Sequence, residues 1–423
     1  MTSAAGRILG NLDCEADFAT LRRPGRARPG RPRPGRVRPG RARPTLSRAA
    51  LETASALATL LRAFARDGDT LWTPAPVARR RLAEVPGLPR PALETGPLPA
   101  LAAPRQVLAW GETPAAAEHR RRAYRQRASQ PAAAELPPEA PLHEDLWRLP
   151  VPEPAVAARV HHRAFALEVA SDLGIALPGA RMVASPAELE EHLRSGAAEA
   201  AGGTGRWVLK APLSAAGRWR HFGRGPAANP RRAGGDTRRI ERLFARHGPL
   251  LFEPWLDRGE DFGVAGLLDG RGARLVGFHR SLVGRRGAFL GVELDAVFRG
   301  LRGLDDGERR RLEEVFDGVA RALRREGYSG PFGIDCWRYR RRDGAPGRRG
   351  LAWHPLGEIN ARMTFGLVAR ALVDRLRGPL GLDPRAAVRL RVGAGPGPRT
   401  PPAVPLLLPS AGGLTAAWLE IPA

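Results

Sequence analysis

Lysine is almost absent from this chain: of its 68 basic residues, only Lys210 is a lysine. Arginine serves well as a solvated charge or as a bidentate partner for carboxylates, but it does not replace a compact ammonium. A lone ammonium at the end of the apolar run Trp207-Val208-Leu209-Lys210 therefore suggests a specific duty. Cysteine is also scarce. Cys14 and Cys336 are far apart and in no metal or redox spacing, which excludes a disulfide framework and points to a reducing cytoplasm. Aromatic residues make up 6%, thin for a surface that stacks bases. No apolar stretch approaches the roughly 20 residues that span a membrane, and the first residues carry no apolar core of signal-peptide length. There is no G-x-x-x-x-G-K-[ST], no G-x-G-x-x-G and no H-E-x-x-H, so P-loop, Rossmann and zincin chemistry lack support. The expectation is a soluble cytoplasmic protein that does not engage a membrane.

What is abundant is positive charge, glycine and proline: net charge +25, 50 Gly and 41 Pro in 423 residues. Part of that charge is local. Residues 22–43 hold ten arginines and no acid within an Arg-Pro-Gly-Arg-x repeat. With Pro and Gly in every unit the repeat cannot form a helix or bury a core, so a disordered insert at 22–44 is expected. Any contact it makes with nucleic acid would be weak and through phosphates.

Organisation changes along the chain. Residues 1–150 read as a loosely patterned N-terminal α/β region, with helical spacing at 51–64, a strand end near 107–111 and Pro-rich linkers at 86–104 and 131–154. From 151 the pattern sharpens. A helix is expected over 160–173, a strand over 175–183, and a helix from the Ser185-Pro186 cap to Leu193. Strand 207–210 should precede a long Gly/Arg loop to 235, then a helix over 237–246 and a strand over 249–255. A hairpin follows at 262–268 and 273–279, turning at Asp269-Gly270. Asp305 and Asp306 should cap a helix with Leu312, Val315, Phe316, Val319 and Leu323 on one face. His161-His162 reads as a helix-start pair rather than a metal site.

Two late strands, 332–339 and 351–360, flank a loop rich in Arg, Gly and Asp. A turn centred on residues 345–347 sets Asp335 opposite Glu358. Period-two alternation puts Glu358 and Asn360 on one face and turns Cys336 toward the core. Two carboxylates beside an amide oxygen repel each other unless a cation joins them. Such a hard-oxygen set suits Mg²⁺ completed by substrate phosphates.

These pieces, in this order, resemble the ATP-grasp fold of ATP-dependent carboxylate–amine ligases over about residues 151–376. Trp207-Val208-Leu209-Lys210 is similar to the strand ending in the phosphate lysine, and Phe252-Glu253-Pro254-Trp255-Leu256-Asp257-Arg258-Gly259-Glu260 to the interdomain hinge. Gly333-Ile334-Asp335 and Glu358-Ile359-Asn360, with Arg362 two residues on, resemble the metal strands of an E-x-N-x-R member. The resemblance implies an α+β fold of two subdomains clasping ATP: a small one at 151–258 and a large metal-bearing one at 259–376. The N-terminal α/β region would precede them, and a Pro/Gly-rich extension at 377–423 would follow.

It further implies that backbone groups around Glu253, Trp255 and Leu256 read adenine, and that Glu260 takes the ribose hydroxyls. Lys210 and Arg163 would hold phosphates, Arg163 standing where many members carry a second lysine. Asp335, Glu358 and Asn360 would hold Mg²⁺, with Mn²⁺ as the alternative ion. Arg362 and Arg280 would stabilise an acyl phosphate. The implied enzyme passes the γ-phosphoryl of ATP to a small-molecule or peptide carboxylate, then couples it to an amine, releasing ADP and phosphate. Two other readings stand beside it: an arginine-rich nucleic-acid-binding protein, and an ATP-grasp protein that binds nucleotide without catalysis.

Overall fold

A computed structural model of the chain describes residues 5–21, 46–96, 106–125, 141–200, 205–214, 218–225, 233–284, 288–294, 304–340, 351–383, 385–394, 403–410 and 415–421. The Arg-Pro-Gly repeat, part of the loop expected after Lys210 (215–217 and 226–232) and the hairpin loop 341–350 lie outside these residues.

Among the described residues, three sheets organise the fold. The N-terminal sheet joins β1 (Arg7–Leu9), β2 (Thr70–Thr73), β3 (Ala92–Thr95) and β4 (Val107–Ala109), all parallel, in the order β3-β2-β1-β4. A small antiparallel sheet joins β5 (Arg181–Val183), β6 (Arg206–Lys210), β7 (Arg220–Arg224) and β8 (Leu250–Pro254) in the order β5-β8-β6-β7. The large sheet holds β9 (Asp257–Leu268), β10 (Ala273–Val283), β11 (Phe289–Leu294), β12 (Gly330–Arg340), β13 (Leu351–Asn360), β14 (Val388–Gly393), β15 (Ala403–Leu407) and β16 (Ala416–Glu420). Its order is β13-β12-β9-β10-β11-β14-β16-β15, antiparallel at every pairing.

Helices follow the sequence signals where caps are strong. Asp305 and Glu308 form a capping box, and the helix Asp306–Arg325 buries the expected stripe Leu312, Val315, Phe316, Val319 and Leu323. The Ser185 hydroxyl caps the helix Pro186–Arg194. One boundary differs. The helix expected over 160–173 splits into Pro154–His161 and Arg163–Asp172, because the His162 side chain accepts from Ala164 N–H and caps the second piece. That break puts Arg163 at a helix N-terminus.

Two stretches read as weak in the sequence are built in. Within the long loop expected after Lys210, β7 pairs along the whole of β6. Residues 377–423, expected as an extension, contribute β14, β15 and β16 to the large sheet. Pro405 is accommodated there because β15 is an edge strand.

One continuous core links the N-terminal sheet, the large sheet and the helix Phe365–Leu376. The small sheet packs a separate core of its own through Trp207, Leu209, Phe244 and Phe252. No helix among the described residues is long and apolar enough to cross a membrane.

Candidate active site

In β6, Trp207 and Leu209 enter the small core, so alternation turns Val208 and Lys210 to the opposite face. Register sets Val208 against Glu253 of β8 and Lys210 against Leu251. Glu253 therefore shares the face of Lys210, and the two form a buried ion pair. Burial pulls the Lys210 ammonium below its ordinary range, with Glu253 opposing that pull and Arg258 and Arg163 adding to it. Burial would raise the Glu253 carboxyl, but Lys210 and His354 more than offset it and hold it low. The Lys210 ammonium lies 5.6 Å from the ring centre of Trp337, which links the small sheet to the large one.

On the large sheet a single row crosses four strands. His279 on β10 faces Gly263 on β9, Gly263 faces Asp335 on β12, and Asp335 faces Glu358 on β13. Asn360, paired with Gly333, lies on the same side and hydrogen-bonds Asp335. Asp335 is open to solvent yet lies among close-packed groups. Desolvation and the adjacent Glu358 push its carboxyl up to about 6, against the pull of Asn360 and Arg362. Glu358 goes the other way. Burial would raise it, but Arg163, His161 and Lys210 outweigh burial and keep it below its ordinary value. One carboxylate of the pair stays ionised while its neighbour carries the strain of their repulsion.

Arg163 spans the two halves of the cleft. Its Nη2 donates to Glu358 at 2.9 Å and to the Ser214 carbonyl at 3.2 Å, and its Nη1 donates to the Ser214 hydroxyl at 2.9 Å and to the Ala211 carbonyl. The segment leaving Lys210 is thus tied to the acidic hairpin. Arg163 bonds a carboxylate here, where the resemblance implied a phosphate.

The connection between β8 and β9 is only Trp255-Leu256. Leu256 is buried against Leu177, Trp337 and Tyr339. Trp255 meets Phe222 edge-on, with ring centres 4.7 Å apart. The Arg258 guanidinium lies 3.8 Å from the ring centre of Trp337. Of the three residues implied for adenine, Trp255 and Leu256 therefore line the junction of the two sheets, while the Glu253 side chain is committed to Lys210.

Two residues fall elsewhere. Arg280 pairs in register with Phe262, one step out of phase with His279 and Gly263, so it points through the opposite face of the sheet. There it bonds Glu260 at 3.1 Å, and Glu260 also bonds Arg338 at 2.8 Å; Arg338 in turn pairs with Glu308 of the helix Asp306–Arg325. Glu260 and Arg280 are part of this buttress and lie away from the Asp335 row. Arg362 stays near the row, since it draws down the Asp335 carboxyl, but its Nε is bonded to Glu15 at 2.7 Å.

Sequence reasoning did not single out Trp337, His354, Arg258 or Glu15. Trp337 was within reach, because it lies two residues beyond Asp335 and so on the same face. His354 packs edge-on against Trp337, and burial pushes its imidazole down to about 4. Glu15 carries no signal, being 347 positions from the arginine it bonds.

The donor chemistry of Asp335, Glu358 and Asn360 fits a hard divalent cation. A carboxylate raised by its ionised neighbour, with that neighbour and an amide oxygen on the same face, is relieved by such an ion. Among the described residues no cluster of three or more His, Cys, Asp or Glu is arranged to hold a metal. A cation here would rely on these three side chains and on oxygens brought by a ligand.

No family model matches the sequence, and no curated protein matches it. Solved structures do. N5-carboxyaminoimidazole synthetase from Staphylococcus aureus, complexed with ADP, is similar over 100% of this chain and 94% of its own, at 7% identity and a TM-score of 0.50. Biotin carboxylase from Campylobacter jejuni is 14% identical over 64% of this chain, with a TM-score of 0.43; this chain covers 65% of it, less than two thirds. Phosphoribosylamine–glycine ligase from Thermotoga maritima is 18% identical over 64% of this chain and 74% of its own, with a TM-score of 0.42. The full-length likeness establishes the fold: the chain has the α+β ATP-grasp architecture behind an N-terminal α/β unit.

Proposed function

We propose that the protein is an ATP-dependent ligase that activates a carboxylate as an acyl phosphate and passes the acyl group to an amine. One observation carries this reading. Glu358, which shares the hard-oxygen set with Asp335 and Asn360, lies within electrostatic reach of Lys210 and Arg163, both buried. Phosphoryl transfer needs positioning and charge neutralisation more than covalent help. Bound Mg²⁺, or Mn²⁺ in its place, would supply charge neutralisation at Asp335, Glu358 and Asn360. Lys210 binds nucleotide phosphate once it leaves Glu253, and Trp255, Leu256 and Trp337 seat the base. Arg163 orients Glu358 and keeps the segment after Lys210 against it. Arg362 holds the negative charge of the acyl phosphate. ADP leaves in the first step, and phosphate leaves when the amine attacks the acyl carbon.

The partners are therefore a small-molecule or peptide carboxylate and an amine, in a cytoplasmic setting. Calorimetry with Mg·ATP tests the reading on wild type, Lys210→Ala and Glu358→Gln. We expect binding by wild type and at least about tenfold weaker binding by each variant, as for the loss of a charge-assisted contact. Unchanged affinity in both variants sinks the assignment.

A further inference from the structure

β7 stands where the sequence pattern suggests only a loop, and its register against β6 is fixed: Lys210 pairs with Arg220 and Val208 with Phe222. His221 is buried, with its ring centre 5.7 Å from that of Trp207, so it faces the small core. Alternation then turns Arg220 and Phe222 to the face that carries Lys210 and Glu253. Phe222 meets Trp255 edge-on from that side. A ring beside Trp255 and a cation beside Lys210 therefore stand about 7 Å apart along one strand face.

A strained residue sets the phase of this strand. Trp219, immediately before β7, has a φ of 54°, a left-handed conformation that bulky side chains rarely adopt. It packs on the helix Ala233–His247: the Arg246 guanidinium lies 4.0 Å from the Trp219 ring centre, and the His247 ring centre 5.2 Å away. The Trp219 carbonyl accepts from Ala211 N–H at 3.1 Å, which carries the β6–β7 ladder past Lys210. Backbone strain of this kind costs about 1–3 kcal/mol and persists where the surroundings over-determine it, as at ligand clamps.

The other cations of the cleft each meet a carboxylate: Lys210 meets Glu253, Arg163 meets Glu358 at 2.9 Å, and Arg258 meets Asp261 at 3.0 Å. Arg163 also donates to Ala211 and Ser214. Arg220 stands among these groups. Burial, then Arg258 and Arg163, pull its guanidinium below its ordinary range, against Glu358 and Glu253. An anion entering between Lys210 and Arg220 relieves that crowding of positive charge. A guanidinium offers phosphate two parallel donors, where an ammonium offers a point charge.

We propose that Arg220 is a phosphate-binding residue, gripping the same polyphosphate as Lys210 while Phe222 and Trp255 flank the base; the assignment rests on the ligase reading above. Arg220 takes the contact that the resemblance implied for Arg163, whose guanidinium is engaged by Glu358 and by the segment after Lys210. β7 is then a wall of the nucleotide site, aromatic at the base end and cationic at the phosphate end.

The test is calorimetry on the full chain with three probes: Mg·ATP, inorganic tripolyphosphate with Mg²⁺, and adenosine. Arg220→Gln should bind Mg·ATP and tripolyphosphate at least about tenfold more weakly, as for the loss of a charge-assisted contact, and should bind adenosine as wild type does. Phe222→Ala should do the reverse, weakening adenosine and leaving tripolyphosphate unchanged. A measurement on wild type keeps a misfolded variant from hiding the answer. Phenylglyoxal labels arginines, and saturating Mg·ATP should slow labelling of Arg220, mapped by mass spectrometry, at least about tenfold, whereas adenosine should not. The proposal is overturned if Arg220→Gln binds Mg·ATP like wild type, if it loses adenosine to the same extent, or if Arg220 labels equally fast with and without Mg·ATP. In each of these cases binding of Mg·ATP by wild type leaves the ligase reading standing. Failure of wild type to bind Mg·ATP overturns that reading itself, and this assignment with it.

Discussion

Lys210 and Glu253 are both nearly inaccessible, so each is stabilised in its charged form chiefly by the other. Removing one partner of a buried pair leaves the other charge uncompensated, a loss of about 3–5 kcal/mol. Glu253→Gln should therefore lower unfolding stability by about 3 kcal/mol, read from the urea midpoint. Lys210→Arg fails differently. The larger guanidinium must fit beneath Trp337, where overpacking costs about 1–3 kcal/mol. It also loses the compact ammonium, and we expect Mg·ATP affinity to fall at least about tenfold by calorimetry. The isolation of Lys210 was legible in the sequence. Its partner was not, because a pairing across 43 residues depends on the β6–β8 register, which no local pattern encodes.

At the scale of elements, the β12–β13 hairpin was legible and Asp335 does stand opposite Glu358, although equal spacing about the expected turn reaches residue 357. The β-bulge beyond it was not: residues 355–357 of β13 face the single residue Cys336. The row that continues onto β9 and β10 was equally hidden, and with it the opposite facing of Glu260 and Arg280.

That row depends on glycine. A Cβ on Gly263 would lie 2.2 Å from the His279 ring, and one on Gly366 2.4 Å from it. Gly263→Ala should cost about 1–3 kcal/mol in a thermal or urea melt, because the ring has backbone on both sides. His279 itself is 6% exposed, and burial pushes its imidazole down to about 4. The unfolded chain titrates near 6.5, so between pH 6.5 and 4 it binds a proton that the native state refuses. The stability from neutral His279 is thus complete above pH 6.5 and is lost as pH falls to 4, by up to about 3 kcal/mol. Comparing the pH dependence of the melting midpoint in wild type and His279→Asn isolates this from the carboxylates. The variant should lose less over that window.

Across the whole molecule, the N-terminal sheet and the large sheet are joined through Glu15 and Arg362. Glu15 is 2% exposed and contacts His161 as well, so Arg362 has its main counter-charge in another part of the chain. Glu15→Ala should destabilise the protein by about 3 kcal/mol in urea unfolding, and should weaken any ligand that Arg362 holds. None of this was visible in a sequence whose first 150 residues pattern weakly. Short strands of three or four residues, such as β1 and β4, leave too few positions for alternation to register. The strands at 388–420 were obscured by Arg and Pro, which an edge region tolerates and a sequence pattern penalises.

The scarcity of lysine gives the chain a built-in reporter. A protease that cuts after lysine has one bond to cleave, between Lys210 and Ala211, and that bond sits where β6 leaves the sheet with both neighbours buried. A native molecule should resist it, and any cleavage should yield two fragments, 1–210 and 211–423. The rate of that single cut then measures how often the cleft opens, wherever reclosing outpaces cleavage. A nucleotide that binds only the closed cleft should slow the cut in proportion to its occupancy.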